Sequence, residues 1–211
     1  MYWFTGDEHF GHTNIIKYCE RPFKDVDEMD EVLIKNFNEV VKPDDTTIHI
    51  GDFTLKNLNE AGKYWRRLNG EHIFLVGSHD YWQEKDADVA YRHIWEKEIN
   101  GIYIVASHYP FKSWPRSFHG SVNLHGHCHG KLPRDLNQMD VGVDANKFYP
   151  INFIQVIERI NLWNKTMNKK VLILTILIKI NSIISSAYHK LSDRANLGII
   201  TGRCSLNPSA T

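Results

Sequence analysis

The sequence predicts an α/β fold, and three observations carry that prediction. Short apolar, β-branched runs recur along the chain, helical patterns lie between them, and the runs stop in clusters of glycine, aspartate and histidine. Strand–helix alternation of this kind builds sheets whose strand C-terminal ends gather ligands.

The first run, Tyr2 to Thr5, stops in Gly6-Asp7-Glu8-His9. Thr46 to Ile50 stops in Gly51-Asp52-Phe53, and Ile73 to Val76 stops in Gly77-Ser78-His79-Asp80. Ile102 to Ala106 runs into Ser107-His108-Tyr109-Pro110, and Val122 to Leu124 into His125-Gly126-His127-Cys128-His129-Gly130. Runs this short, bounded by glycine, read as buried strands. Between them, Asp27 to Val41 sets Met29, Val32, Leu33, Phe37, Val40 and Val41 on one helical face, with Pro43 just beyond. Leu58 to Leu68 and Val89 to Ile99 read as weaker helices.

A length of 211 residues suits one domain, at most two. The 25 lysines and arginines balance 25 aspartates and glutamates, which argues against a broad electrostatic grip on long nucleic acid. Cys19, Cys128 and Cys204 show no framework spacing and read as free thiols, which points to a reducing compartment, the cytoplasm. Met1 to Asp7 lacks the charged and apolar regions of a secretory signal and reads as the start of the fold. The tail from Asn164 changes character. Its apolar segment, from Val171 to Ile184, is about 14 residues long and carries Lys179, short of the ~20 that span a bilayer. A buried strand or helix is expected there, with a poorly ordered appendage as the alternative.

The clusters can be taken as metal ligands. Asp7 and His9 supply an oxygen and an imidazole at one strand exit, Asp52 a second carboxylate, His108 a further imidazole, and His127 with His129 two more on one loop. Ser78 is an additional oxygen donor. Nitrogen and oxygen ligands without thiolate suit Mn, Fe, Zn, Co or Ni. Six ligands are too many for one catalytic ion with an open position, and enough for two ions if a carboxylate bridges them.

The order D-x-H, G-D, G-x-H-D, H, G-H-x-H resembles the calcineurin-like metallophosphoesterases over roughly Met1 to Arg159. The opening Gly6 to Ile16, with Arg21-Pro22-Phe23, is similar to their small single-domain bacterial and phage branch. The resemblance implies a four-layer αββα sandwich with a di-metal site at the strand ends. It implies a phosphoesterase domain over 1–163, with 164–211 as an extension. Asp7, His9, Asp52 and His129 would hold one ion; Asp52, His108 and His127 would hold the other, Asp52 bridging. Manganese leads the expected metals. His79 would face the substrate phosphate and Asp80 would orient its ring. The family has asparagine where this chain has Ser78, so a weakened second site is expected.

Around these, His12, Arg21 and Arg116 are candidate substrate contacts, the last in a segment, Tyr109 to His119, that mixes cations with aromatics. Cys128 reads as packing, and His49 and His125, within strands, read as core residues or as neighbours that support the ligands. The expected reaction is hydrolysis of small phosphodiesters or phosphomonoesters, nucleotides included, by a water that two metals activate. A nuclease on longer nucleic acid is the alternative within the enzyme class, and a scaffold that keeps the fold but little metal is the alternative outside it. Membrane contact by the tail is not expected.

Overall fold

The computed structural model describes residues 1–82 and 92–200. Two compact units divide the chain, Met1–Asn164 and Lys165–Thr211.

The first unit holds two four-stranded sheets. In one, β1 (Tyr2–Thr5) pairs in parallel with β2 (Thr46–Ile50) and antiparallel with β8 (Ile151–Asn152), while β2 pairs in parallel with β3 (Glu71–Leu75). In the other, β4 (Ile94–Ile99), β5 (Ile102–Ser107), β6 (Val122–His125) and β7 (Gln138–Asp140) lie side by side, antiparallel at β4–β5 and parallel beyond.

Successive residues of a strand face opposite sides, and Trp3 and Phe4 divide accordingly between two cores. Phe4, Ile48, Ile50 and Leu75 meet Trp95, Ile104, Ala106 and Leu124 between the sheets. Trp3 packs outward with Phe10, Met29, Leu33 and Phe37 under α1 (Thr13–Tyr18), α2 (Val26–Val40) and α3 (Leu58–Trp65). Asp25 caps α2 by accepting the Glu28 N–H at 2.8 Å, and Asn57 caps α3 by accepting that of Glu60 at 3.1 Å. On the far face of the second sheet, Gln138 donates to the Phe111 carbonyl and to Asn123 Oδ1, both at 2.8 Å, which ties the segment 109–121 to that face. This is the α/β sandwich expected from the sequence, two sheets face to face with helices over the first; against the second, the described segment 109–121 holds one short turn of 3-10 helix (Ser117–His119).

One expected helix is a strand. The stretch Val89 to Ile99 begins outside the described residues, and Ile94–Ile99 forms β4. Asn100 and Gly101 both have positive φ, 50° and 78°, and turn β4 back onto β5. Asn-Gly between two runs is a strong hairpin signal, and it overrides a weak helical pattern.

The tail also differs from expectation. The helix α4 (Phe153–Ile200) carries Phe153, Val156 and Ile160 into the core between the sheets. In the second unit, Leu172, Ile173, Ile176, Leu177, Ile178 and Ile180 are exposed rather than buried. That unit offers no second element among its described residues to cover them. Among the described residues, no helix is long and apolar enough to cross a membrane.

Candidate metal centre

Each ligand sits on a tight turn immediately beyond a strand. Asp7 and His9 follow β1, and their N–H groups donate to the Gly51 and Asp52 carbonyls at 2.9 Å, extending the β1–β2 ladder past the strands. Asp7, His9, Asp52, His127 and His129 all have φ between 49° and 65°, the left-handed region that non-glycine residues seldom occupy. Strain of this kind persists only where the surroundings enforce it, and it concentrates at functional sites. Gly77 shows the enforcement, since a Cβ there would lie 2.2 Å from the Asp52 nitrogen and 2.3 Å from its Oδ1.

The turns bring the side chains together in groups whose ligand atoms lie within 4.8 Å of one another. One group is Asp7, His9 and His129; another is Asp52, His108 and His127; a third joins His9, Asp52 and His79. His9 Nε2 and His108 Nε2 each lie 3.5 Å from Asp52 Oδ2, so the Asp52 carboxylate stands between the first two groups.

The donor set fits divalent cations. Asp7 Oδ2, both ring nitrogens of His9, and His108 Nε2 are buried without hydrogen-bond partners among the described residues. Unmatched buried polar atoms are costly, and converging ligand atoms are the arrangement a cation would satisfy. Burial pushes the Asp7 carboxyl well above the carboxylate range, with the neighbouring Asp140, Asp52 and Glu8 carboxylates adding to the shift against a backbone hydrogen bond from His127. Burial, together with the charges of Arg21 and the surrounding histidines, pushes His9 down to about 2. An imidazole kept neutral is the form that ligates metal.

The remaining nitrogens are oriented. His108 Nδ1 donates to the Ile50 carbonyl at 3.0 Å, leaving Nε2 to face Asp52. His129 Nδ1 donates to Asp144 Oδ2 at 2.7 Å, leaving its Nε2 to the centre. A carboxylate behind a ligating histidine fixes its tautomer and raises its basicity. Sequence reasoning missed Asp144; its only signal is an aspartate after the apolar Val141-Gly142-Val143 run.

Ser78 donates its hydroxyl to both Asp52 oxygens, at 3.2 and 3.1 Å. His79 lies beside it, partly exposed, with Nε2 4.0 Å from Asp52 Oδ2. His12 stands over His9 and His79, ring centroids 5.7 and 6.3 Å away. Tyr109, the exposed first residue of the segment that mixes cations with aromatics, lays its ring 4.5 Å from that of His127.

Three expected roles are corrected. Asp80 is buried and serves the backbone: it accepts N–H bonds from Asp52, Phe53, Thr54 and Gly77 and from the Trp82 indole, at 2.6 to 3.3 Å. It therefore shapes the Asp52 turn rather than aligning the His79 ring. Arg21 has no exposed side-chain surface, so it does not meet a substrate phosphate. It donates to Asp144 Oδ1 and Oδ2 at 2.9 and 2.7 Å and to the Asp7 and Glu8 carbonyls at 2.6 and 3.0 Å. Arg116 pairs with Glu98 at 3.3 Å and lies 4.2 Å over the Tyr103 ring. Tyr103 is the second residue of β5 and His108 follows the strand's end, five residues on, so Arg116 sits roughly 16 Å along the strand from the centre.

Cys19 and Cys128 are free thiols. His49 and His125 are buried, as their positions within strands suggest.

No family model matches the chain. It is 35 % identical over 163 residues to the uncharacterized protein MJ1445 of Methanocaldococcus jannaschii, spanning 73 % of this chain and 88 % of that protein. A crystal structure of the protein of unknown function AQ665 from Aquifex aeolicus superposes with a TM-score of 0.57 at 28 % identity, over 72 % of this chain and 94 % of that one. More distant structural neighbours include a novel archaeal phosphodiesterase, at 17 % identity and a TM-score of 0.38, over 67 % of this chain and 82 % of that one. The chain belongs to the family of the uncharacterized protein MJ1445, and it shares its fold with the protein AQ665.

Proposed function

We propose that the chain is a metal-dependent phosphoesterase that hydrolyses small phosphodiesters or phosphomonoesters, nucleotides included. The observation that carries this is the convergence of buried ligand atoms without hydrogen-bond partners, from Asp7, His9 and His108, around the Asp52 carboxylate. Asp7, His9, Asp52 and His129 would hold one divalent ion, and Asp52, His108 and His127 the other, with the Ser78 hydroxyl alongside. When bound, two such ions lower the pKa of a water and neutralise charge on the phosphate. Manganese leads the candidates; Fe, Zn, Ni and Co suit the same nitrogen and oxygen set.

His79 is the residue placed to act on substrate. It is partly exposed and its Nε2 faces Asp52, so it can donate a proton to the leaving oxygen or a hydrogen bond to the developing charge. His12 lines the same opening. Asp80 holds the Asp52 turn, and Arg21 and Asp144 hold the loops of Asp7 and His129. Residues 1–163 carry all these groups, and 164–211 are an extension. Free thiols suit a reducing compartment such as the cytoplasm. The balanced charge favours small esters over long nucleic acid as substrate.

Hydrolysis of a chromogenic phosphodiester with Mn²⁺ tests the proposal, with Asp52→Ala as the blank. Turnover lost in the blank supports it. Equal inertness of both proteins across Mn, Ni, Co and Zn would bring the scaffold alternative forward.

A further inference from the structure

Beside the metal centre, a cavity of about 400 Å³ is lined by Leu55, Lys56, Leu58, Tyr81, Trp82 and two asparagines. None of its lining residues is a proposed metal ligand, and none is acidic. One carboxylate joins the cavity to the centre: Asp80 accepts the Trp82 indole N–H at 3.0 Å and the Asp52 N–H at 2.6 Å. Tyr81 stands two residues beyond His79, so their Cα atoms are at most about 8 Å apart. On the other wall, Phe10 and Thr54 pair in parallel, and a Cβ on Gly11, next to His12, would lie 2.8 Å from Lys56 Cε. The cavity therefore adjoins the side of the centre where His79 and His12 stand.

Its lining has the make-up of a small-molecule site. Tyr81 is 58 % exposed and Leu55 40 %, although both present large apolar surfaces. Trp82 is buried, held by Asp80 and packed against the rings of Phe53, Trp65 and Phe74. Lys56 is exposed, and among the described residues no acid pairs with it within 4.0 Å. Concave, largely apolar surfaces with a few polar groups bind small molecules, whose pockets measure roughly 300–1,000 Å³. An exposed aromatic face stacks on a base or ring of any sequence or substitution.

We propose that this cavity receives the planar aromatic group of the ester, a nucleobase or an aryl ring, stacked on Tyr81 beside the phosphate. The inference rests on the phosphoesterase reading for the place of the phosphate. Lys56 would supply a cation for the charge of the ester, and Asn57 and Asn59 amides for the polar edge of a base.

The test compares adenosine 5′-monophosphate with ribose 5-phosphate, which lacks the base, as competitors of chromogenic phosphodiester hydrolysis by the full chain with Mn²⁺. The base is expected to tighten inhibition by about tenfold or more, the scale of one base stacked on one aromatic ring. Tyr81→Ala is expected to abolish that advantage and Tyr81→Phe to keep it; the side chain is exposed, so neither change disturbs the core. Adenosine, which has no ester to cleave, is also titrated into the metal-free chain and followed by NMR. Saturable binding is expected, and its loss in Tyr81→Ala. A chain that binds adenosine through Tyr81 but turns over no ester would support the pocket and count against the phosphoesterase reading. Equal inhibition by the two phosphates without adenosine binding would overturn the proposal. So would an advantage that survives Tyr81→Ala and is lost in Tyr109→Ala, which would put the ring over His127 instead.

Discussion

Asp144 accepts the Nδ1–H of His129 at 2.7 Å while the Arg21 guanidinium grips both of its oxygens. Burial would push the Asp144 carboxyl up, but these hydrogen bonds outweigh burial and hold it below the usual value. Arg21 also donates to the Asp7 and Glu8 carbonyls, so one buried cation ties the first ligand loop to the last. Asp144→Asn is expected to lower Mn²⁺ affinity by about 10–100-fold, measured by calorimetric titration, with the circular dichroism of the fold unchanged. Undiminished affinity would show that His129 needs no orienting partner.

Ser78 places a hydroxyl on Asp52 where an amide carbonyl could reach a cation. A hydroxyl is the shorter and weaker neutral donor. Ser78→Asn is therefore expected to tighten the weaker of two Mn²⁺ binding steps, by up to about tenfold, the contribution of one additional ligand. Equal and full occupancy in both proteins would contradict a weakened second site.

Gly77 leaves no room for a side chain, as a Cβ would press on the Asp52 nitrogen and Oδ1. Gly77→Ala must displace the Asp52 turn or the β3 exit. A loss of about 1–3 kcal/mol is expected in denaturant unfolding, as for other overpacked sites, together with impaired Mn²⁺ binding. A variant with native stability and native metal content would show the turn to be more yielding than its contacts imply.

Asp30 gives a pH signature. Burial pushes its carboxyl from 3.8 up to about 6, against hydrogen bonds from the Gly11 N–H and Tyr64 that pull it down. The folded value exceeds the unfolded one, so its contribution to stability is complete below pH 3.8 and is lost as pH rises through about 6. Asparagine keeps an oxygen for Gly11 and carries no charge. The melting temperature of Asp30→Asn, relative to the native chain, is expected to rise between pH 4 and pH 7, by on the order of 1 kcal/mol in stability once residual solvent is allowed for. A pH-independent difference would contradict the assignment.

Much of the site was legible because its chemistry is periodic in the sequence. Every proposed metal ligand follows a short apolar run, and a strand exit is where such residues converge. Less legible was what depends on long-range contact. Arg21 looked available to phosphate, but its partner Asp144 lies 123 residues away and buries it. Asp80 follows His79 directly, yet its hydrogen bonds run back to the Asp52 turn. The Asn100-Gly101 turn was legible and lost to a competing helical pattern over Val89 to Ile99. The left-handed backbone at the ligands left no trace, because Asp and His tolerate it without announcing it.

The central claim is that Asp7, His9, Asp52, His108, His127 and His129 form one two-ion centre joined by Asp52. Metal analysis of the chain equilibrated with Mn²⁺ and desalted, side by side with Asp52→Ala, tests it most directly. About two ions per native chain, with fewer than one in Asp52→Ala, is the expected result for a bridged pair. Native protein free of Mn²⁺, or equal content in both proteins, would contradict it.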